Sequence, residues 1–519
     1  MKSNQKKSQT AIETQSKIVS LNELEKIVSA LKKKGKIIVQ CHGVFDLLHP
    51  GHIMHFEAAK KEGDILIVTL TKDEYVNKGP GRPVFNQRLR ADSIASLQCV
   101  DYVAINEWPT AIEIIKKIKP SVYVKGSDYE NADSDVTGKI KDEELAVQQG
   151  GGRIHFTHEI SFSSTEILNR HYMVYPDRAQ SFLETFRKKY SVNNVIDTLK
   201  SLSEIKALVI GETIIDEYHF CHPVGKSPKE SIVASRFMRE EAFLGGVLAC
   251  ANHMAGFLNH VNLITGLGKE NSRENLIMEN LKPHVKPDFI FREDAPTIVK
   301  RRFVWDPFLV KLFEIIFLDD KPLPSKNEKE VLALLKASIH KYDLVLVTDY
   351  GHGFLTPNII NFLSKNAKFL AVNTQMNSAN MGYNTILKYP HADYICIDEP
   401  EMRLAHQDKF GKLEDLIVKT AKKLDCANIT VTRGHLGALA YSKKDGFFQS
   451  PIFSKEIVDR MGAGDAFMAI TAPLVCKKVP ADIVGFIGNA VGALACRIVG
   501  NKTPVEPIPL FKFITALLK

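Results

Sequence analysis

The stretch from Gln40 to His52 restricts the fold of this chain more than any other part of the sequence. It follows an apolar run, 37–39, that predicts a buried parallel strand, and it leads into an amphipathic helix. The N-terminus of a helix presents unpaired N–H groups and a partial positive charge, which suit phosphate oxygens. Gly43 and Gly51 allow the backbone to approach a ligand closely. The stretch therefore predicts an α/β domain with a phosphate site where a strand becomes a helix.

Two histidines, His49 and His52, lie at the start of this predicted helix. They would face the same phosphates, where they could donate hydrogen bonds to charge that develops on phosphorus. An isolated pair of this kind is more often structural, but the surrounding residues carry more information. The pattern Gly43-x-Phe45-Asp46-x-x-His49-x-Gly51-His52 resembles the signature of the cytidylyltransferase-like nucleotidyltransferases. The resemblance implies that a nucleotidyl group is transferred to a phosphorylated alcohol or sugar, with His49 and His52 as catalytic residues.

The length and the charge of the chain limit the remaining possibilities. A chain of 519 residues exceeds one ordinary hydrophobic core, so two or more domains are expected. The net charge of +8 is small for this length, which favours anionic small molecules over nucleic acid as partners. Eight scattered cysteines indicate a reducing cytoplasm. Neither a secretory signal nor an apolar run of membrane-spanning length is apparent, so we expect a cytoplasmic protein without a membrane span.

Apolar runs alternate with helical segments in the first third of the chain. The runs 64–70, 101–105 and 121–124 predict further strands of a parallel, doubly wound sheet, in which ligands lie at the carboxyl ends of the strands. We therefore expect a Rossmann-like nucleotidyltransferase domain. The predicted boundaries are a lead-in segment at 1–35, this domain at 36–172, a helical connector at 173–205 and a second domain at 206–519.

Within the first domain, the sequence most resembles the transferase half of the bifunctional heptose 7-phosphate kinase/heptose 1-phosphate adenylyltransferase family. That resemblance implies contacts with the nucleotide or its phosphates for Gly43, Phe45, Lys78, Arg82, Arg88, Ser164 and Thr165. It also implies contacts with the acceptor for Asp46, Lys125 and Asp128. Structural interpretations stay open, since the loop with Lys78 and Arg82 could be a solvated turn and Ser163 with Glu166 could form a capping box.

A second series of strands begins at 207–211, and polar or glycine-rich clusters again follow the apolar runs. This pattern predicts a second doubly wound α/β domain. The sharpest cluster is Gly462-Ala463-Gly464-Asp465, which precedes an apolar helix. Successive N–H groups at such a helix start can hold a phosphoryl group, and the adjacent carboxylate can take the proton of an attacking hydroxyl.

Together with Asp216 and Gly245-Gly246, this cluster resembles the ribokinase-like sugar kinases. The resemblance implies that Asp465 is the catalytic base and that Gly462, Ala463 and Gly464 form the anion hole. It assigns sugar contacts to Asp216, Gly245 and Gly246, nucleotide contacts to Arg433 and Gly434, and Mg²⁺ to Asp398 and Glu401. Lys300 and Arg302 would hold a sugar phosphate, although an exposed strand would explain them equally well.

Two functions stay open at this point. The first is a bifunctional, homodimeric enzyme of nucleotide-activated sugar synthesis, which uses Mg²⁺, transfers a nucleotidyl group from ATP or CTP to a sugar 1-phosphate, and phosphorylates a sugar or sugar phosphate with ATP. Its products would supply surface polysaccharide or lipopolysaccharide assembly. The second keeps the transferase, with CTP and a sugar or polyol phosphate, but makes the kinase-like domain a non-catalytic sugar-binding and dimerising module. Its motivation is that Ala249, Asn373 and Met461 depart from the kinase pattern. The domain order is also the reverse of that in the resembling bifunctional family.

Overall fold

The computed structural model describes residues 15–76, 82–127, 139–158, 177–319 and 321–519. The chain divides into two compact units. The first comprises Met1–Tyr175 with Phe511–Leu517 and Lys519, and the second comprises Pro176–Leu510 with Leu518. This division groups Phe511–Leu517 with the first unit, whereas the sequence analysis assigns them to the second domain. Every helix among the described residues is too short or too polar to cross a membrane.

The first unit is built around one parallel sheet. Its elements are α1 (Leu21–Lys33), β1 (Ile38–Gly43), α2 (Pro50–Lys61), β2 (Ile65–Thr71), α3 (Gln87–Ala95), β3 (Tyr102–Asn106), α4 (Ile112–Ile118), β4 (Val122–Gly126), α5 (Lys139–Gln149) and β5 (Arg153–Thr157). The five strands pair in the order β3-β2-β1-β4-β5, and all the pairings are parallel. The prediction of a doubly wound sheet is confirmed. β5 was not predicted, because its residues are only partly buried and form no clear apolar run.

Successive residues of the central strands enter two different hydrophobic clusters. Val39 of β1 and Leu66 of β2 pack with Phe56 of α2, whereas Ile38 and Ile67 pack with the helices on the other side of the sheet. Adjacent side chains of a strand point to opposite faces, so both faces of this sheet are covered. This burial on both faces explains why the strands read as continuous apolar runs in the sequence.

The second unit begins with the helices of the predicted connector, and its strands form one branched twelve-stranded sheet. Its first elements are α6 (Asp177–Lys189), α7 (Val192–Lys200), β6 (Lys206–Lys226), β7 (Val233–Gly246), α8 (Val247–Met254), β8 (His260–Gly268), α9 (Glu274–Asn280), β9 (Val285–Arg292), β10 (Ile298–Trp305), β11 (Val310–Phe317) and α10 (Ser325–Ser338). Then follow β12 (Leu344–Asp349), α11 (Pro357–Asn366), β13 (Leu370–Thr374), β14 (Tyr394–Asp398), α12 (Glu399–His406), α13 (Leu413–Lys423), β15 (Asn428–Thr432), β16 (Ala438–Ser442), β17 (Gly446–Ser450), α14 (Ala463–Cys476) and α15 (Ala481–Ala495). The last helix, α16 (Pro507–Leu518), has residues in both units.

The long strand β6 takes part in both branches of this sheet. Its first residues pair in parallel with β8 and β12, in the main α/β layer. From Thr213 onward it pairs with β7 in antiparallel orientation, and from Ile214 it pairs with β10 in parallel orientation. β11 completes this smaller branch by pairing with β10. Asp216 therefore lies just beyond the point where β6 leaves the main layer, and the carboxyl ends of β12, β14 and β15 are the places where the predicted site residues are expected.

Candidate active sites

In the first unit, the two predicted catalytic histidines lie together at the start of α2. His49 is the N-cap residue, and its ring nitrogen Nδ1 accepts a hydrogen bond from the N–H of His52 at 3.4 Å. The two imidazole rings are stacked, with centroids 3.7 Å apart and planes 19° apart. The carboxyl end of β1 and the N-terminus of α2 thus bring two imidazoles to a position that favours anions.

Gly43 and Phe45 shape the turn that carries these histidines. Phe45 has a positive φ of 50°, and its ring packs edge-on against His52, with centroids 5.2 Å apart. A Cβ atom at Gly43 would lie 2.9 Å from the Phe45 ring, which is closer than real Cβ contacts allow. The glycine therefore permits the ring to fold back over the turn and to support His52 from one side.

Asp46 and Arg82 form a buried ion pair in this turn. The side chains are 0% and 3% exposed, and Arg82 Nε donates to Asp46 Oδ2 at 2.9 Å. The carboxylate also accepts hydrogen bonds from the backbone N–H groups of Val84 and Phe85 at 2.8 and 3.0 Å. The sequence analysis expects both side chains to contact ligands, whereas the structure pairs them with each other. We infer that they hold residues 82–85 against the β1–α2 turn.

Asp46→Ala is expected to lower the free energy of unfolding of the first unit by about 3–5 kcal/mol, because it leaves the buried Arg82 guanidinium without its counterion. Urea unfolding measures the loss. The matched control is Asp92→Ala, since Asp92 pairs with Arg88 at 3.7 Å on the exposed surface of α3. We expect that control to change stability by less than about 0.5 kcal/mol. Equal losses in the two variants would contradict the structural role of Asp46.

Arg88, the predicted phosphate contact, differs in its surroundings from the neighbouring Arg90. The Arg88 side chain is 67% exposed, whereas Arg90 is almost fully buried. The Arg90 guanidinium donates to three backbone carbonyls and one carboxylate, which belong to Val44, Thr71, Phe85 and Asp73. It thereby links the residues that follow β1 and β2 to the start of α3. The available signal was helical spacing, because Arg90 precedes the buried Ala91 and lies four residues before the buried Ile94.

Lys125 lies at the carboxyl end of β4, close to two further histidines. Its Nζ is 2.7 Å from a carboxylate oxygen of Glu143. Burial, followed by the charge of Lys125, lowers the pKa of His42 to about 3 and that of His55 to about 4, so both rings are neutral at pH 7. The other predicted site residues of this unit, Lys78, Asp128, Ser164 and Thr165, lie outside the described residues.

In the second unit, the predicted anion hole begins α14. Gly462 is the N-cap residue and has a φ of 76°, and a Cβ atom there would lie 1.9 Å from Asn501 Oδ1. Apart from its chain neighbours and the backbone of its own helix, no described residue lies within 4 Å of the Cβ position at Gly464, so the backbone is open to the described residues at that point. Asp465 follows in the first turn of the helix. The role of Gly462, Ala463 and Gly464 as an anion hole stays a prediction, which this helix start accommodates.

Gly462→Ala is expected to destabilise the second unit, because a left-handed conformation costs an alanine about 1–2 kcal/mol and the new methyl group must also displace Asn501. Thermal unfolding measures the effect. Gly464→Ala is the control, and it should be neutral or stabilising, since its Cβ position is empty and alanine favours the helix. A loss of stability for Gly464→Ala as large as that for Gly462→Ala would contradict this interpretation.

Asp465 lies in surroundings that suit a general base. Its side chain is buried, and its Oδ1 atom accepts a hydrogen bond from the Tyr350 hydroxyl at 2.9 Å. Burial raises the pKa of Asp465 to about 6, and the charge of Asp216 raises it further, whereas the Tyr350 hydrogen bond and the charge of Lys300 lower it. A carboxylate with a pKa near 6 is well matched to taking a proton near neutral pH.

Asp216, Lys300 and Arg302, the predicted sugar and sugar-phosphate contacts, lie together on β6 and β10. Lys300 is opposite Asp216 in the pairing of β10 with β6, and the Arg302 guanidinium donates to Asp216 Oδ1. All three side chains are buried, so the interpretation of Lys300 and Arg302 as part of an exposed strand is wrong. Burial lowers the pKa of Lys300. A Cβ atom at Gly245 would lie 2.3 Å from Asp216 Oδ2, so this glycine makes room for the carboxylate.

The neighbouring Gly246 also requires glycine. Its φ is 57°, and a Cβ atom there would lie 2.6 Å from the backbone carbonyl oxygen of Glu212. Gly246 is the N-cap residue of α8. Gly245 and Gly246 therefore let β7 turn into a helix directly beside Asp216.

Glu212 and the segment after β12 form a buried network to which the sequence analysis gave no role. Glu212 accepts hydrogen bonds from the backbone N–H groups of Tyr350 and His352 at 3.0 and 3.2 Å. Burial, followed by the charge of Asp349, raises the pKa of Glu212 to about 7. Asp349 itself accepts a hydrogen bond from the Tyr389 hydroxyl at 2.6 Å. The contacts of Glu212 span 138 and 140 positions of the chain and that of Asp349 spans 40, so no local pattern could indicate them.

Asp398 and Glu401, the predicted Mg²⁺ ligands, form the capping box of α12. Asp398 Oδ1 accepts from the N–H of Glu401 at 2.7 Å, and Glu401 Oε2 accepts from the N–H of Asp398 at 2.8 Å. Burial, followed by the charge of Asp398, raises the pKa of Glu401 to about 8. Mg²⁺ commonly takes one or two protein carboxylates and substrate phosphates, which this pair fits. Within the described ranges, no cluster of three or more His, Cys, Asp or Glu side chains could hold a metal by itself.

Arg433 and Gly434 follow β15, where nucleotide contacts are predicted. Arg433 Nε lies 2.7 Å from a carboxylate oxygen of Glu399, so its guanidinium is already part of an ion pair. Gly434 has a φ of 55°, and no atom of the described residues beyond its chain neighbours lies within 4 Å of its Cβ position. Of the two predicted nucleotide contacts, the backbone at Gly434 therefore has more space for a ligand than the Arg433 side chain.

Comparison with known proteins matches each unit to a family. The cytidylyltransferase-like family matches residues 41–170, and the pfkB family of carbohydrate kinases matches residues 205–508. The bifunctional protein HldE of Aliarcobacter butzleri is 46% identical over 131 residues, which are 24% of this chain and 28% of the relative. HldE of Trichlorobacter lovleyi is 37% identical over 155 residues, which are 30% of each protein. These alignments cover the N-terminal part of the chain, so the chain matches less than a third of the length of these relatives.

Solved structures resemble the second unit. Ribokinase from Thermotoga maritima is 17% identical with a TM-score of 0.47, and the match covers 60% of this chain and 99% of that chain. Arabidopsis thaliana ribokinase, solved with ribose and ATP, is 17% identical with a TM-score of 0.46, over 61% of this chain and 99% of that chain. The family matches confirm the predicted order of a nucleotidyltransferase-like domain followed by a sugar-kinase-like domain. Because the carbohydrate-kinase match spans more than half of the sequence, this chain belongs to the pfkB family of carbohydrate kinases, with a cytidylyltransferase-like domain joined ahead of the kinase domain.

Proposed function

We propose that the first unit transfers a nucleotidyl group from ATP or CTP to a heptose-like sugar 1-phosphate and releases pyrophosphate. The observation that carries this proposal is the stacked pair of His49 and His52 at the N-terminus of α2. A phosphate oxygen of the acceptor would attack the α-phosphorus in line. The two imidazoles and the N–H groups of the helix start would stabilise the negative charge that develops there and on the leaving pyrophosphate.

For the second unit, we propose phosphorylation of a sugar or sugar phosphate with ATP. Asp465 would take the proton of the acceptor hydroxyl as its oxygen attacks the γ-phosphorus, while the N–H groups at the start of α14 hold the oxygens of the transferring group. Lys300 and Asp216 would line the acceptor side. Asp398 and Glu401 would hold Mg²⁺, which when bound neutralises phosphate charge.

The experiment is an assay of the full chain with Mg²⁺. Pyrophosphate release is measured with ATP or CTP and a panel of sugar 1-phosphates that includes heptose 1-phosphate, and ADP formation is measured with ATP and heptose 7-phosphate or free sugars. Release of pyrophosphate with one nucleotide and one acceptor supports the first activity and identifies the donor. Absence of release with every pair contradicts the transferase proposal, and absence of sugar-dependent ADP contradicts the kinase proposal.

The membership in a kinase family and the environment of Asp465 favour this bifunctional enzyme over one with a non-catalytic sugar-binding domain. We place the enzyme in the cytoplasm, where ATP is available and where its eight unpaired cysteines would stay reduced. Its products would supply surface polysaccharide or lipopolysaccharide assembly.

A homodimer is also proposed, and exposed apolar side chains of β11 support it. Five apolar side chains of this strand are each 38–55% exposed, which is unusual for neighbouring side chains of one strand. They are Val310, Leu312, Phe313, Ile315 and Phe317. Analytical ultracentrifugation tests the proposal. We expect a dimer that Phe313→Lys converts into a monomer, and a monomeric wild-type protein at micromolar concentration would contradict it.

A further inference from the structure

We propose that Tyr350 is a positioning residue for Asp465, which holds one carboxylate oxygen and leaves the other to take the proton of the acceptor hydroxyl. This inference rests on the proposed kinase function of the second unit. Tyr350 has no role in the sequence analysis, and it lies 115 residues away from Asp465 along the chain.

The contact between the two residues is direct and buried. The Tyr350 hydroxyl donates to Asp465 Oδ1 at 2.9 Å, and the Tyr350 side chain is only 2% exposed. In the described part of the chain, Oδ2 of Asp465 receives no hydrogen bond. The two oxygens are therefore different, since Oδ1 is held by a phenol while Oδ2 is available to a substrate.

Both backbone polar groups of Tyr350 are hydrogen-bonded, which fixes the position from which its side chain extends. Its N–H donates to Glu212 Oε2 at 3.0 Å. Its carbonyl oxygen accepts from the side-chain amide of Asn377 at 2.8 Å and from that of Asn380. A side chain that is itself fixed by hydrogen bonds can hold a catalytic side chain in one orientation. Proton transfer requires such an orientation at the moment when the substrate reacts.

The charge around Asp465 predicts the consequence of losing this hydrogen bond. The titratable groups that face Asp465 from the surrounding elements are Asp216 of β6, Cys250 of α8, Lys300 of β10, Tyr350 after β12, Cys396 of β14 and Glu401 of α12. Burial and Asp216 raise the pKa of Asp465, whereas Tyr350 and Lys300 lower it. Tyr350→Phe removes a donor that stabilises the ionised carboxylate, so the pKa of Asp465 must rise.

The test compares Tyr350→Phe with the wild type in the full chain, with ATP and heptose 7-phosphate as the probe. We expect kcat to fall by about tenfold or more, because the base is less well oriented. The acidic limb of the plot of kcat/KM against pH should move to higher pH, while the KM for ATP stays constant. Tyr389→Phe is the matched control, because Tyr389 donates an equally buried hydrogen bond to Asp349 instead, and we expect its acidic limb to stay in place.

A second measurement does not depend on activity. The stability lost in Tyr350→Phe should be greater at pH 7.5 than at pH 5, because raising the pKa of Asp465 in the folded state penalises its ionised form. In an Asp465→Asn background, this pH dependence should disappear. If the wild type phosphorylates no sugar, the proposed function fails. The comparison of Tyr350→Phe with and without Asp465→Asn still tests the link between the two residues. An unchanged acidic limb in an active Tyr350→Phe enzyme, or a stability difference without dependence on pH, would overturn the proposal.

Discussion

Asp465→Asn is expected to lower sugar-dependent ADP formation by about 10²–10⁴-fold, because an amide cannot take the proton of the attacking hydroxyl. The fold should tolerate the change. The asparagine carbonyl can still accept the hydrogen bond of Tyr350. Burial raises the pKa of Asp465, which means that its negative charge is unfavourable there, and a neutral amide removes that cost. Steady-state ADP formation with saturating ATP measures the effect.

The same variant includes its own control, because pyrophosphate release by the other activity should be unchanged. In the wild type, kcat/KM for the kinase should fall as pH drops below about 6, where Asp465 becomes protonated. Wild-type turnover in Asp465→Asn would exclude this residue as the base. The chain would still belong to the carbohydrate-kinase family, but the proposed proton transfer to Asp465 would be contradicted.

Replacing either histidine at the start of α2 is the second change with a large expected effect. His49→Asn and His52→Ala should each lower pyrophosphate release by about 10²–10³-fold, as expected when a preorganised donor to the transition state is lost. Asparagine is chosen at position 49 because it preserves helix capping, which is otherwise lost with the His49 side chain. The decrease then reports chemistry and not unfolding of α2. Single-turnover pyrophosphate release measures it.

The matched control for these variants is His155→Ala. His155 is partly exposed on β5, where it lies 3.6 Å from Glu62 and is remote from the start of α2 in sequence. Its replacement should leave pyrophosphate release within about twofold of wild type, as is usual for surface substitutions away from a site. Circular dichroism should show native helix content in all three variants. Comparable losses in His155→Ala and the site variants would contradict a catalytic role for the pair.

Local patterns in the sequence predicted the strand and helix boundaries at which both candidate sites are placed. A strand followed by a glycine-rich helix start is written in consecutive residues, so the stacked histidines after β1 and the glycine N-cap of α14 could both be expected. The pairing of residues distant in sequence was less accessible. The ion pair of Arg82 with Asp46 and the buried contacts of Arg90 with residues 17 to 46 positions away are examples.

The sequence by itself determined the two α/β domains and their order. Apolar runs, glycines and helix starts are patterns of a few consecutive residues, and they fix backbone conformation and burial locally. Only the tertiary structure decided which charges neutralise one another and which proton donor holds the base. Glu212, Tyr350 and Asp465 come from three separate regions of the sequence, and they meet because the sheet brings the ends of its strands together. Electrostatic energy depends on distance in space and on the exclusion of water, and neither can be read from positions along a chain.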